Sequence, residues 1–317
     1  MSTASGRFHR ALYLTGPTAS GKTAVGVALS RLLDAEIVAL DSMTLYRGLD
    51  IGTAKPTEAE RDGVPHHLID VLDPWDAASV ADYRSWADRV VAAIETRGRR
   101  ALFVGGTPLY LKALLRGLFE GPPANPALRA ELDAEAERLG TPVLHARLSR
   151  LDPTTAARLH PHDRRRIIRA LEVIKQTGQP LHELQREHDR PAPNGLVFAL
   201  ERPRAELHRR IDQRTSALFQ AGWVEEVRGL LAGPRPPHPV PMQAVGYREV
   251  IDHLQGRASL SETIERTQAR TRQFAKRQAT WFRGLAEVRP FPVADDEPPE
   301  AIASRLVERL RQDNRLG

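Results

Sequence analysis

Apolar and polar positions follow two rhythms along this chain. Short, nearly continuous apolar runs occur at ALYLT (11–15), within EIVALDS (36–42) and within RALFVGG (100–106). Between and after them, TAVGVALSRLL (23–33), VADYRSWADRVVAAIETRG (80–98) and TPLYLKALLRG (107–117) repeat their apolar residues at helical spacing. The short runs predict buried strands and the periodic segments predict amphipathic helices, with Ser79 as an N-cap for the helix at 80–98. Strands separated by helices of this length predict a parallel sheet with right-handed crossovers. Ligands of such sheets bind outside the carboxyl ends of the strands. Thr15–Thr23, Asp41 and Gly105–Thr107 all fall at those ends, so three strand ends are expected to converge on one crevice.

From GPPANP (121–126) the pattern becomes mostly helical, through PALRAELDAEAERLG, TPVLHARLSRL, PTTAARL and DRRRIIRALEVIKQTG, until PAPNG (191–195) precedes another strand, LVFALE (196–201). Residues 122–195 are therefore expected to form a helical insertion between proline-rich hinges, within a core made of 1–121 and 196–317. After it come a long helix (204–231), a proline-rich loop (233–241), a basic helix (261–285) and, from about 291, a short linker and a terminal helix.

The 317 residues suffice for one large domain or two modest ones, and 41% hydrophobic with 27% charged residues is ordinary globular composition. No apolar run approaches the roughly 18 residues of a membrane span. MSTASGRFHR has no apolar signal core, so the expected location is the cytoplasm. The absence of cysteine excludes disulfides, thiolate metal sites and cysteine nucleophiles, and it suits a reducing compartment. The net charge of +6 favours a polyanionic partner. Only five of the 46 basic residues are lysine, however, and an arginine excess can also follow from coding composition. Where the arginines cluster matters more than their number.

Residues 16–23, GPTASGKT, match G-x-x-x-x-G-K-[ST] between a strand and a helix. In that pattern the loop of Gly16, Pro17, Thr18, Ala19, Ser20 and Gly21 wraps the phosphate, its glycines letting backbone N–H groups turn inward around phosphate oxygens at a helix N-terminus, while Lys22 adds a cation and the Thr23 hydroxyl is placed for Mg²⁺. The fold class that follows is α/β, a P-loop NTPase-like parallel sheet flanked by helices, with an all-helical insertion. The apolar strand LFVGG ends in Gly-Gly-Thr rather than in the acid that a conventional P-loop ATPase uses to hold Mg²⁺. EIVALDS does end in an acid, Asp41. There it could bind a small-molecule kinase substrate, act as a general base, or merely cap the following turn.

DSMTLYRGLDIGTAKP (41–56) adds a further signal. Together with GPTASGKT, PHHLIDVLDP (65–74), VGGTPLY (104–110), RRIIRALEV (165–173), AVGYRE (244–249) and KRQATWFR (276–283), it resembles the tRNA dimethylallyltransferases over almost the whole chain. The resemblance implies transfer of a dimethylallyl group from dimethylallyl diphosphate to N6 of adenosine 37 in tRNAs that read codons beginning with U. It implies Mg²⁺ as cofactor and a monomeric enzyme. Asp41 matches the base that assists the weakly nucleophilic adenine amine. Thr107, Arg214, Lys22, Thr23 with Mg²⁺ and the loop amides match the groups that meet the leaving diphosphate. Without the resemblance, Arg214 reads as part of a solvated helix face.

On the tRNA side, Asp41, Ser42, Met43 and Thr44 match positions that touch the extruded adenine. Thr44 departs from the glutamine that many members carry. Arg165, Arg166, Ile167, Ile168 and Arg169, then Gln243, Ala244, Val245, Gly246, Tyr247 and Arg248, and finally Lys276, Arg277 and Arg283 match segments that contact the anticodon arm, with Arg129 at the mouth of the insertion. Arg266, Arg270, Gln273 and Arg277 fall on one helical face, a stripe suited to phosphates. Phe274, Trp281 and Phe282 read as core packing before base stacking. His66-His67 and His160/His162 complete no metal ligand set and read as structural. Three other readings are weighed against transfer to tRNA: an adenylate isopentenyltransferase acting on free AMP, ADP or ATP, a nucleic-acid-binding P-loop kinase or NTPase, and a non-catalytic RNA-binding module. The first has no need of the insertion and the basic helix. The second lacks an obvious Mg²⁺-holding acid, and the third would not require a phosphate cradle.

Overall fold

A computed structural model describes residues 4–118, 121–186, 190–192 and 196–313. Residues 193–195 of the expected PAPNG hinge lie outside them. Two compact units result, one formed by Met1–Leu115 with Ala192–Gly317 and the other by Arg116–Pro191.

In chain order the first unit opens with α1 (Ala4–Arg10), β1 (Leu12–Thr15), α2 (Lys22–Leu33), β2 (Ala35–Ala39), α3 (Glu58–Arg61), β3 (His66–His67), α4 (Val80–Thr96), β4 (Arg100–Val104) and α5 (Pro108–Arg116). The second contributes α6 (Pro126–Leu139), α7 (Thr141–Leu151), α8 (Pro153–Ala157), α9 (Arg164–Thr177) and α10 (Leu181–Gln185). The first unit resumes with β5 (Val197–Glu201), α11 (Arg204–Gln220), α12 (Trp223–Leu231), α13 (Tyr247–Leu254), α14 (Leu260–Arg283), β6 (Val288–Pro292) and α15 (Pro299–Gln312).

The sheet is parallel throughout, in the order β3-β2-β4-β1-β5-β6. Its inner strands β1, β2, β4 and β5 are mostly apolar on both faces because both faces are covered. Leu12, Leu14, Ile37, Leu102 and Phe198 pack with Val25, Val27 and Leu29 of α2 and with Ile302, Leu306 and Leu310 of α15. The alternate positions Tyr13, Val38, Phe103 and Val197 face Tyr83, Val91 and Ile94 of α4 and Leu111 and Leu114 of α5. The period-2 alternation therefore separates two apolar layers rather than an apolar from a polar side.

Two elements depart from the sequence reading. The helix expected over 204–231 is two helices, broken at Gly222, whose φ of 100° is a left-handed conformation that suits glycine. The segment read as a linker from about 291 begins after a sixth strand. Pro290 and Pro292 argue against a strand on sequence, yet β6 pairs only with β5 at the sheet edge, where missing N–H donors leave no gap.

The strand ends are knit together where the site forms. Thr15 Oγ1 donates to Gly105 O at 2.8 Å, Gly105 N to Leu14 O at 3.2 Å and Leu40 N to Val104 O at 2.9 Å. Gly105 sits so close to β2 that a Cβ there would lie 2.2 Å from Leu40 O. In the second unit, α6, α7 and α9 pack around Leu132, Leu144, Leu148, Ile167, Ile168 and Leu171. Buried Glu172 accepts from Arg129 Nε at 3.0 Å, Arg169 Nη1 at 2.6 Å and Asn125 N at 2.7 Å. Burial pushes its carboxyl up, and these donors together bring it below the ordinary range.

Gly105→Ala is expected to destabilise the first unit by about 2–4 kcal/mol, because the added methyl meets backbone rather than a movable side chain. A thermal midpoint unchanged from wild type would contradict that packing.

Candidate active site

The three strand ends open into one cleft of about 280 Å³. Its polar end is lined by Thr18, Lys22 and Thr23 after β1, by Asp41 to Thr44 after β2, by Gly105 and Thr107 after β4, and by Arg214 from α11. Ile37, Val104, Ile211, Leu218, Trp223, Val245 and Phe274 give it apolar walls.

The loop at 16–21 is a cradle by conformation. Gly16, Ala19 and Gly21 all have positive φ, at 148°, 64° and 93°. A Cβ at Gly16 would meet Leu200 O at 2.9 Å and Ser20 Oγ at 2.8 Å. The loop leads into α2, whose first residues are Lys22 and Thr23. Sequence reasoning did not find the arginines that brace it from outside: Arg202 Nε donates to Ser20 O at 2.9 Å and Arg210 Nε to Ala19 O at 3.0 Å. Their partners are backbone atoms nearly two hundred residues away, for which no local pattern exists.

Lys22, Asp41 and Arg214 are mutually coupled charges in this cleft. Burial lowers the Lys22 ammonium to about 8, with Arg214 adding to the shift and Asp41 opposing it. Burial raises the Asp41 carboxyl, while the Met43 amide, Lys22, the Thr44 amide and Arg214 restrain the rise. The Arg214 guanidinium is also pushed down by burial, with Glu60 and Asp41 opposing. One half-buried acid thus faces two half-buried cations in the cleft, with Glu60 also acting on Arg214, an arrangement that favours an anion between them.

The second wall carries Thr107. Its Oγ1 accepts from Ser42 N at 3.1 Å, so the hydroxyl proton is free to be donated elsewhere. Asp41 is held by its own turn, Oδ1 accepting from Met43 N at 2.8 Å. Thr44 is buried and lines the cleft, and its Oγ1 has no hydrogen-bond partner in the protein. The loop after Asp41 is clamped by Glu226, another residue sequence reasoning missed. Glu226 accepts from Asp50 N at 2.7 Å, Ile51 N at 2.6 Å, Gly52 N at 3.1 Å and Tyr247 Oη at 2.8 Å.

The remaining expected contacts divide by burial. Gln243, Ala244 and Val245 line the cleft, and Gln243 and Arg248 are exposed, whereas Gly246 and the Tyr247 ring are buried against Trp223. Lys276, Arg277 and Arg283 are exposed on α14. Arg270, in the same stripe, is held by Glu249 at 2.8 Å, and Arg266 lies 4.0 Å from Glu262. Phe274 lines the cleft and lies 5.9 Å beneath the Arg277 guanidinium, Phe282 is buried, and Trp281 is 40% exposed.

In the second unit Arg165 and Arg166 are exposed, but Ile167 and Ile168 are core side chains, so a polar partner meets the arginines and not the isoleucines. Arg129 and Arg169 are engaged by Glu172. His67 pairs with Glu36 at 2.6 Å, and His66 donates from Nδ1 to Val64 O at 2.8 Å while lining the cleft. Among the described residues no group of three His, Cys, Asp or Glu could hold a metal. The cleft offers the Thr23 hydroxyl and Asp41, a donor set that suits Mg²⁺ only with phosphate oxygens and water completing its shell. No described helix is long and apolar enough to cross a membrane.

The family model described as IPP transferase matches residues 44–285, and one described as isopentenyl transferase matches 10–72. The chain belongs to the IPP transferase family. Similar proteins include tRNA dimethylallyltransferase 1 of Trichlorobacter lovleyi, 49% identical over 277 residues, covering 86% of this chain and 90% of that protein. The tRNA dimethylallyltransferase of Bordetella pertussis is 51% identical over 280 residues, with coverage of 86% and 90%. The crystal structure of the full-length tRNA isopentenylpyrophosphate transferase from Bacillus halodurans superposes with a TM-score of 0.69 at 38% identity, covering 96% of this chain and 98% of the other. A eukaryotic dimethylallyltransferase acting on tRNA shares the fold, with a TM-score of 0.79 at 24% identity over 96% of this chain and 79% of its own. Membership in the IPP transferase family accords with the P-loop NTPase-like sheet and with a phosphate cradle at the end of β1.

The lowered Lys22 pKa gives a linkage test. A diphosphate in the cleft raises that pKa again, so binding inorganic pyrophosphate near pH 8.5 should draw a proton from solvent. Calorimetry in two buffers of different ionisation enthalpy should register about half a proton or more for wild type and much less for Lys22→Met. Equal uptake in both proteins would assign the proton to another group.

Proposed function

We propose that the protein transfers a dimethylallyl group from dimethylallyl diphosphate to N6 of adenosine 37 in tRNAs reading codons that begin with U, releasing diphosphate. It acts as a monomer in the cytoplasm with Mg²⁺ as cofactor. The observation that carries this reading is a single cleft that joins a P-loop and two half-buried cations to a half-buried carboxyl and apolar walls. The kinship with tRNA dimethylallyltransferases supports the same reading.

The C–O bond between the dimethylallyl carbon and the diphosphate breaks as the N6–C bond forms. Negative charge gathers on the leaving oxygen, where Lys22, Arg214, the loop amides and the free Thr107 proton can meet it without reorganising. Bound through Thr23 and the diphosphate oxygens, Mg²⁺ would neutralise part of that charge. Asp41 takes the proton that N6 must lose. Its burial makes the carboxylate a better acceptor than one in water, and the Met43 and Thr44 amides fix its orientation. The apolar walls receive the five-carbon chain and keep water from the electrophilic carbon. Thr44 Oγ1, buried and unpaired, is placed to satisfy a polar edge of the base, which must leave its stack to be reached. Arg165, Arg166, Arg248, Lys276, Arg277 and Arg283 remain exposed for phosphates of the anticodon arm.

Labelled dimethylallyl diphosphate should transfer its label to unmodified tRNA carrying adenosines 36, 37 and 38, with Mg²⁺ and without ATP. Label on free AMP and none on tRNA would contradict the proposal. Asp41→Ala should lower kcat by about 100-fold or more and leave tRNA affinity nearly unchanged. Normal turnover in that variant would remove the carboxyl from the mechanism. Arg277→Ala should weaken tRNA binding and reduce its logarithmic salt slope by about 0.7–0.9. A slope identical to wild type would show that Arg277 touches no phosphate.

A further inference from the structure

Gln278 lies on α14, 4% exposed, among residues otherwise read as a tRNA-facing surface. Its side chain points inward and lines the cleft. Oε1 accepts from Thr18 N at 2.9 Å, and Nε2 donates to Gly106 O at 2.7 Å. Those partners fix the amide orientation, because a backbone N–H must face the oxygen and a carbonyl must face the NH₂. Thr18 belongs to the phosphate cradle. Gly106 precedes Thr107 on the opposite wall. The fit is close from that side as well, since a Cβ at Gly106 would lie 2.6 Å from Nε2. Deeper in the sheet the two walls are already tied by Thr15 Oγ1 to Gly105 O and by Gly105 N to Leu14 O, and Gln278 adds a bridge at the cleft itself.

We propose that Gln278 is a positioning residue for the transfer, one that sets the spacing between the P-loop and the Thr107 turn to the size of the diphosphate. Thr18 N–H and Gly106 O are partly or fully buried groups that Gln278 pairs, so beyond the strand ends, where Thr15 and Gly105 tie β1 to β4, this one amide sets how far apart the loop tips stand. The proposal rests on reading the cleft as a diphosphate site. It adds that the site's width is set from α14, by a side chain whose amide oxygen and nitrogen are both engaged by backbone.

The test is made on the full chain with Gln278→Leu and Gln278→Glu. In Gln278→Leu, the dissociation constant for inorganic pyrophosphate with Mg²⁺, measured without tRNA, should rise about tenfold or more, as should the KM for dimethylallyl diphosphate. Affinity for tRNA should stay within about twofold, since Gln278 does not reach the surface. Gln278→Glu keeps the acceptor for Thr18 N–H and regains a donor for Gly106 O only when protonated. Its activity relative to wild type should therefore climb as pH falls from about 8 to about 6. A purely structural role would leave that ratio flat. Wild-type pyrophosphate affinity in Gln278→Leu, or a flat ratio for Gln278→Glu, overturns the positioning role. If Gln278→Leu does not fold, the pH ratio of Gln278→Glu decides alone. Failure of the wild-type protein to prenylate tRNA, with pyrophosphate affinity still lost in Gln278→Leu, would overturn the proposed reaction and leave the positioning role standing.

Discussion

Two cations and one carboxyl drawn partly out of water into a single crevice form the constraint around which the rest of the structure is arranged. Lys22 alone illustrates the cost. Its shift from 10.5 to about 8 disfavours the fold by on the order of 3 kcal/mol below pH 8, and that penalty fades as pH rises toward 10.5. Asp41 offsets part of the charge of both cations, and Glu60 acts on Arg214 from outside the cleft. A diphosphate in the cleft would meet both cations, so part of their desolvation cost is recovered as affinity for the leaving group. The same arrangement favours the transition state over the bound donor, because the negative charge on the leaving oxygen grows as the bond breaks.

The sheet makes this arrangement possible by being apolar on both faces. With α2 and α15 on one side and α4 and α5 on the other, the strand ends are fixed in position and their loops are free to carry chemistry. Close backbone approaches at Gly16 and Gly105 bring three of those loops together. Side chains from distant segments then lock them: Arg202 and Arg210 behind the cradle, Gln278 across it, and Glu226 on the loop after Asp41.

Much of this was legible in the sequence, and the part that was not has a physical explanation. β1, β2, β4 and β5 announce themselves as short apolar runs, and GPTASGKT, Asp41 and Thr107 as their carboxyl ends, because burial and phosphate binding impose local patterns. The β6 strand was hidden by its prolines, which only a sheet edge tolerates, and the break between α11 and α12 by a single glycine inside a helical rhythm. Gln278, Arg202, Arg210 and Glu226 serve backbone atoms far away in the chain, so no spacing rule marks them. Ile167 and Ile168 show how a matched segment mixes core and surface positions. They fell inside a matched segment, yet they pack the core of the second unit while their arginine neighbours face solvent.

The central claim is that the P-loop holds the diphosphate of a prenyl donor while Asp41 faces the reacting carbon. A crystal structure with dimethylallyl thiodiphosphate, whose sulfur linkage resists transfer, tests it most directly. The account predicts the diphosphate between the amides of residues 19–23, Lys22 and Arg214, with the five-carbon chain along Ile37, Ile211 and Phe274 and its first carbon turned toward Asp41. A diphosphate bound outside the loop, or a prenyl chain directed away from Asp41, would contradict it.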